Sequence, residues 1–247
     1  MKLQLATGEL ATELDFTIFK EVGKIKLSAG FLGYFDKIGL CFSGGPDSVA
    51  LLCLILIELK STGLLGKVPI TCFTVLKNDG CTYYADRLLA VIRKKFDCEI
   101  EHITNIENPN TNKLPSWFDS NVMSSIVDMR ENMLLYSAMN FPPTPDIVKF
   151  NHSSPTILAD SFAQIKHIVA PFYRMHKPQI LDILYKLGCD DLLQYTHSCV
   201  MLPVGECHDC FSCEERAWGF KELGKTDPGT ITPDVEDITY GGTWKLE

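Results

Sequence analysis

The sequence has little positive charge: 23 Lys and Arg stand against 31 Asp and Glu, for a net charge of −8. Proteins that grip a nucleic-acid backbone usually carry a basic face, so the overall field disfavours nucleic acid as a partner and favours a small molecule. Long apolar runs are also missing. The longest, Val49 to Ile57, stops at Glu58, well short of the roughly 20 residues a spanning helix needs. Met1 to Leu10 has no apolar stretch behind a basic start, so no secretory signal is expected and the reading is cytoplasmic. With 17 Gly and 13 Pro, collagen-like and low-complexity chains are excluded. What remains, at 247 residues and 46% hydrophobic, is a globular chain able to bury one large core beside a small appendage.

Ten cysteines are too sparse for a disulfide scaffold of this length. Cys41, Cys53, Cys72, Cys98 and Cys189 lie in or beside apolar segments, where cysteine acts as a small hydrophobe. Cys199, Cys207, Cys210 and Cys213 cluster instead. Their C-x7-C-x2-C-x2-C spacing folds two overlapping turns into a tight knuckle with a fourth thiol from the preceding loop. A closed four-thiolate site of this kind prefers Zn2+ and is structural, while the ligand type also admits an iron–sulfur cluster. His197 and His208 lie nearby, and supporting roles fit them better than ligation because four thiols suffice.

Along the chain, strand-like and helix-like segments alternate. Strands are expected at 37–43, 68–76, 98–103, 146–150 and 165–170, and helices at 46–59, 83–96, 122–139 and 178–187. Asn and Pro mark a loop over 105–119, and Gly188 closes the last helix. Leu10 to Ile25 mixes helical and alternating spacing and stays unassigned. The pattern is that of an α/β protein, a parallel sheet flanked by helices. Residues 1–36 read as an N-terminal extension, 37–195 as the α/β domain, and 196–247 as the metal-binding segment and tail.

The strongest chemical signal is Ser43-Gly44-Gly45-Pro46-Asp47-Ser48, placed after an expected strand and opening an expected helix. Glycines let the backbone turn tightly and approach a ligand. The first amides of a helix lack internal partners and sit at the positive end of its dipole, which makes an anion site. Ser43 and Ser48 add hydroxyls, and Pro46 suits a first helical position that needs no N–H. No Gly-Lys-Ser/Thr is present and the glycines are adjacent, so neither the Walker loop nor the dinucleotide fingerprint applies.

The segment resembles the Ser-Gly-Gly-X-Asp-Ser loop of the ATP pyrophosphatase (PP-loop) family, whose fold is adenine nucleotide alpha hydrolase-like. The resemblance implies that residues 43–48 hold the phosphates of ATP and that Asp47 organises Mg2+ or the phosphate contacts. A bare carboxylate facing phosphate is repulsive, which favours a metal between them. Ligands of open parallel sheets lie at the carboxyl ends of the strands, so adenine is expected near Thr74, Val75 and Leu76.

The C-terminal stretch narrows the resemblance. Thr196-His197-Ser198-Cys199, the cysteine knuckle with Glu214-Glu215-Arg216, and Gly224-Lys225-Thr226-Asp227-Pro228 look like the 7-cyano-7-deazaguanine synthase family. Ala170-Pro171-Phe172 to Lys177 resembles a further family segment, and Val127 to Ala138 resembles the helix bearing its Pro-Gly-Arg-Asn. That family converts 7-carboxy-7-deazaguanine to the nitrile with ATP and ammonia, in a queuosine-type pathway. Its resemblance implies a homodimer and makes Asp47, Ser48, Arg130 and Lys177 candidate catalytic residues, the last two as binders of phosphate or carboxylate. The chain departs from the pattern at Asp128-Met129 and Glu131, at Lys77 to Cys81, and at Phe150 to Ser154. A different acceptor, another deazapurine or another carboxylate, therefore stays open. Two rivals are a tRNA-thiolating ATP pyrophosphatase using Cys81 and a non-catalytic nucleotide-binding domain.

Overall fold

The computed structural model describes residues 3–6, 9–18, 21–28, 37–75, 79–104, 133–143, 168–172 and 175–231. Two sheets are present among them. The first lies in the N-terminal segment and is antiparallel, built from β1 (Leu3–Ala6), β2 (Glu9–Ile18) and β3 (Glu21–Ser28). Its register sets Glu13 opposite Lys26 and Asp15 opposite Lys24. The alternation through Leu10, Thr12, Leu14, Phe16 and Ile18 is the strand signal that overlapping helical spacing obscures.

The second sheet is parallel and five-stranded. It contains β4 (Lys37–Cys41), β5 (Ile70–Phe73), β6 (Glu101–Ile103), β7 (Met133–Ser137) and β8 (Ile168–Val169), in the order β6-β5-β4-β7-β8. All four pairings are parallel. The chain steps outward from β4 on one side and then returns to the other, so the strand order reverses at β4 and β7. Crevices of this kind, at the carboxyl ends of the strands, are where open α/β sheets bind ligands.

Helices α1 (Pro46–Ser61), α2 (Cys81–Phe96), α3 (Lys177–Lys186) and α4 (Phe211–Leu223) flank the sheet, with a 3-10 turn at Asp190–Tyr195. Val49 to Leu56 are buried all round α1, which packs against α3 and β4. In α2 only one stripe is buried, through Tyr84, Ala85, Leu88, Leu89, Ile92 and Phe96, and Arg93, Lys94 and Lys95 complement the dipole at its C-terminus. Among the described residues no helix is long and apolar enough to cross a membrane.

One expectation is corrected. The helix expected over 122–139 ends, within the described residues, as strand β7, paired in register with β4 from Lys37↔Met133 to Cys41↔Ser137. All five β7 residues are buried. A strand covered on both faces reads as a continuous apolar run, and periodicity cannot separate it from a helix. Gly39 makes the pairing close: a Cβ there would stand 2.9 Å from Leu135 Cδ1. The strand expected at 146–150, the loop at 105–119 and residues 122–132 lie outside the described residues. The remaining expected strands and helices appear, with ends shifted by a few residues, and β8 falls within the strand expected at 165–170.

Candidate nucleotide and metal sites

The loop after β4 has the geometry its composition calls for. Gly44 has φ +77°, and a Cβ on it would meet Ala85 N at 3.0 Å, so the turn must be made by glycine against α2. Gly45 is the extended N-cap of α1, with Pro46 at the first helical position and no side chain capping the helix. The hydroxyls are tied into the turn: Gly45 N–H donates to Ser43 Oγ (3.3 Å), and Ser48 Oγ donates to Gly45 O (2.9 Å). The loop thus presents a helix N-terminus at the carboxyl edge of the central strand.

Asp47, in the first turn of α1, is held by the buried ammonium of Lys177, the first residue of α3. Lys177 Nζ also reaches Glu215 Oε2 of α4 at 3.0 Å, and Asn140 Nδ2 donates to Glu215 Oε1 at 2.7 Å. Burial pulls the Lys177 ammonium down, but the two carboxylates outweigh it and hold its pKa above the usual range. Gly219 of α4 leaves room for the Lys177 stem, since a Cβ there would lie 2.7 Å from Lys177 Cγ. Asp47 Oδ1 is buried with no hydrogen-bond partner among the described residues. That oxygen, beside an uncapped helix N-terminus, is a fitting ligand for a divalent cation carried with phosphate.

Lys177 is thus brought against Asp47 in a largely buried three-charge cluster, a different placement from the expected free binder of phosphate or carboxylate. Arg130 and Leu76 lie outside the described residues, as do Lys77, Asn78, 128–131 and 150–154. Thr74 and Val75 do follow β5, and both are fully buried. Thr74 Oγ1 donates to Phe42 O (2.6 Å) and meets His102 Nε2 (2.7 Å), while its N–H donates to Ile103 O. Val75 O accepts the Cys81 thiol at 3.2 Å. These groups brace the end of the strand. Cys81 is 4% exposed and held in the core rather than presented to solvent.

The four clustered cysteines converge, with their sulfurs all within 4.8 Å of one another. Cys199 and Cys213 are buried, and Cys207 and Cys210 are half-buried. Amides point at the sulfurs: Leu202 N–H at Cys199 (3.3 Å) and Cys210 N–H at Cys207 (3.2 Å). Amide donation, from Asp209 first, pulls Cys207 down to about 7, whereas burial pushes Cys199 and Cys213 up. Four thiols this close, with amide donors to the thiolates, fit a tetrahedral metal ion or an iron–sulfur cluster. Neither nearby histidine belongs to the set. His197 stacks on Tyr84 (centroids 4.1 Å apart) and bonds Leu202 O through Nε2, while His208 is exposed.

The sequence marked Arg216 and Asp227 only by resemblance, and gave no role to Glu215, Asn140 or Thr196. Arg216 is fully buried. It grips both oxygens of Asp227 (2.7 and 2.9 Å), the hydroxyl and carbonyl of Thr196 (2.7 and 3.2 Å), and the carbonyls of Leu193 and Gly229. An Arg beside two Glu on a helix normally reads as a solvated face; only the tertiary fold shows it saturated inside.

Residues 145–224 match the family of Queuosine biosynthesis protein QueC, a segment that includes Lys177, the four cysteines and Arg216. A 7-cyano-7-deazaguanine synthase from Chromobacterium violaceum is 34% identical over 58 residues, 24% of this chain. The match spans a quarter of that relative's length, 25%. The U34-tRNA thiolase NcsA from Methanococcus maripaludis, solved with its 4Fe-4S cluster, aligns with a TM-score of 0.41 and 14% identity. That alignment covers 76% of this chain and 70% of the thiolase, a likeness too slight to bear on activity. The Ser-Gly-Gly-X-Asp-Ser loop on a parallel sheet and the matched C-terminal segment are both similar to features of the ATP pyrophosphatase (PP-loop) family.

Proposed function

We propose that the chain is an ATP-dependent carbon–nitrogen ligase that adenylates a carboxylate and transfers it to ammonia, with 7-carboxy-7-deazaguanine as the acceptor. The observation that carries this reading is the loop at 43–48, with Asp47 Oδ1 buried, and without a hydrogen-bond partner among the described residues, beside the uncapped start of α1. A carboxylate oxygen of the acceptor attacks the α-phosphorus of ATP, and pyrophosphate leaves. Ammonia then attacks the acyl carbon, AMP leaves with the carboxylate oxygen, and an amide remains. A second activation, at the amide oxygen, expels AMP with loss of the amide protons and gives the nitrile.

In this scheme the loop amides and the Ser43 and Ser48 hydroxyls stabilise charge on the departing pyrophosphate. Asp47 would hold Mg2+ through Oδ1, and the cation supplies neutralisation of the phosphate charge. Lys177 keeps the other Asp47 oxygen in place. The four thiols would hold Zn2+ as a structural ion that builds the knuckle. We read the partners as small molecules, the enzyme as a cytoplasmic homodimer, and residues 37–195 as the nucleotide-binding domain.

The test is turnover followed by mass spectrometry, with Mg-ATP and ammonium, in the presence and absence of 7-carboxy-7-deazaguanine. Amide or nitrile with stoichiometric AMP is the expected result. ATP binding without product would move the search to other carboxylates and to tRNA thiolation, and would overturn the acceptor. Absence of ATP binding would overturn the reaction class.

A further inference from the structure

Helix α4 starts on the thiolate knuckle: Cys210 is its N-cap and Cys213 lies in its first turn. Glu215 and Arg216 follow in the next turn of the same helix, so whatever fixes the two cysteines helps fix the backbone of these residues. From there two arms run to the nucleotide loop. Glu215 meets Lys177, and Lys177 holds Asp47 at the start of α1. Arg216 Nη1 donates to the hydroxyl of Thr196 at 2.7 Å, and the next residue, His197, donates its N–H to Gly44 O at 3.0 Å. One arm therefore ends on each side of the glycine turn.

The arm through Glu215 is packed without slack: a Cβ on Gly219 would overlap the Lys177 stem at 2.7 Å. Pro203, in the segment between Cys199 and Cys207, presses on Gly80 just ahead of α2, with its carbonyl 2.6 Å from the Cβ position. Close-packed contacts of this kind transmit a displacement rather than absorb it.

We propose that Glu215 and Arg216 are positioning residues for the nucleotide loop, and that through them the thiolate metal site and the nucleotide site are energetically coupled. The inference rests on reading residues 43–48 as a nucleotide loop. Coupling is reciprocal: a nucleotide that binds better when α4 is fixed must itself retain the metal more tightly.

The test uses the full chain loaded with Zn2+. Zinc affinity is measured by equilibrium competition with a chelating dye, with and without a Mg2+-bound non-hydrolysable ATP analogue, whose binding is measured separately by calorimetry. Saturating analogue should raise zinc affinity by about fivefold or more, the lower range for coupled sites. Glu215→Gln should bind both ligands yet show less than about a twofold rise, because the charge that ties Lys177 to α4 is removed while the fold's other contacts remain. Should that variant fail to fold, Thr196→Val weakens the other arm at the Arg216 hydrogen bond and should likewise reduce the rise. Analogue bound with no change in zinc affinity overturns the coupling and leaves the nucleotide loop standing. A rise undiminished in both variants overturns the positioning assignment. No binding of the analogue overturns the loop reading, and the inference with it.

Discussion

At Asp47 the two carboxylate oxygens have different tasks. Oδ2 is bound to Lys177, while Oδ1 is buried beside the loop without a hydrogen-bond partner among the described residues. The Asp47–Lys177–Glu215 cluster carries two negative charges and one positive. Removing Asp47 leaves Lys177 paired with Glu215, a balanced buried pair. Asp47→Ala should therefore abolish turnover while the melting temperature moves by only a few degrees, equivalent to about 1 kcal/mol. Normal turnover in that variant would remove the catalytic assignment. Lys177→Met leaves the buried Glu215 carboxylate beside the half-buried Asp47 carboxylate with no cation. It should cost about 3–5 kcal/mol, the usual penalty for stripping one partner from buried charges, and denaturant unfolding would read it directly. A loss under 1 kcal/mol would mean that the cluster is hydrated.

At the scale of elements, α4 holds the knuckle at one end and carries Arg216 a turn later. Cys210→Ser should lower zinc stoichiometry and melting temperature together, because metal bound only by the folded site contributes to folding. Unchanged metal content and unchanged melting would show that the four sulfurs do not act as a ligand set. The knuckle was legible in the sequence because thiol spacing is a local property. So was the loop, whose glycines, Pro46 and helix start fall within six residues. Strand β7 was not legible: Met133 to Tyr136 is a continuous apolar run, and its pairing with β4 and β8 identifies it as a strand. Nor was the Lys177–Glu215 contact, which joins residues on different helices and has no periodicity to announce it. Resemblance pointed to Lys177, but the burial that makes it a brace for Asp47 depends on Gly219 and α4.

For the molecule as a whole, one buried acid should shape stability against pH. Glu58, near the end of α1, is 2% exposed, and neither of its carboxylate oxygens has a hydrogen-bond partner among the described residues. Burial raises its pKa from 4.5 to about 7. The Tyr136 ring of β7 is close enough for Glu58 to help raise the phenol's own pKa, so ionising either group is resisted. The sign follows from linkage. In the unfolded chain the acid ionises near 4.5, whereas in the fold it stays protonated until about 7. Folding is thus favoured by the neutral form, its contribution is complete below 4.5, and it is lost as pH rises to about 7. The full loss amounts to about 3 kcal/mol at 1.36 kcal/mol per pKa unit. Glu58→Gln cannot ionise, so its unfolding free energy should vary less across that interval than that of the unsubstituted chain. The difference between the two slopes, measured by urea unfolding at a series of pH values, isolates Glu58 from every other titrating group. Identical slopes would mean that Glu58 ionises normally in the folded protein, which would require solvent or a cation to reach the inner face of α1.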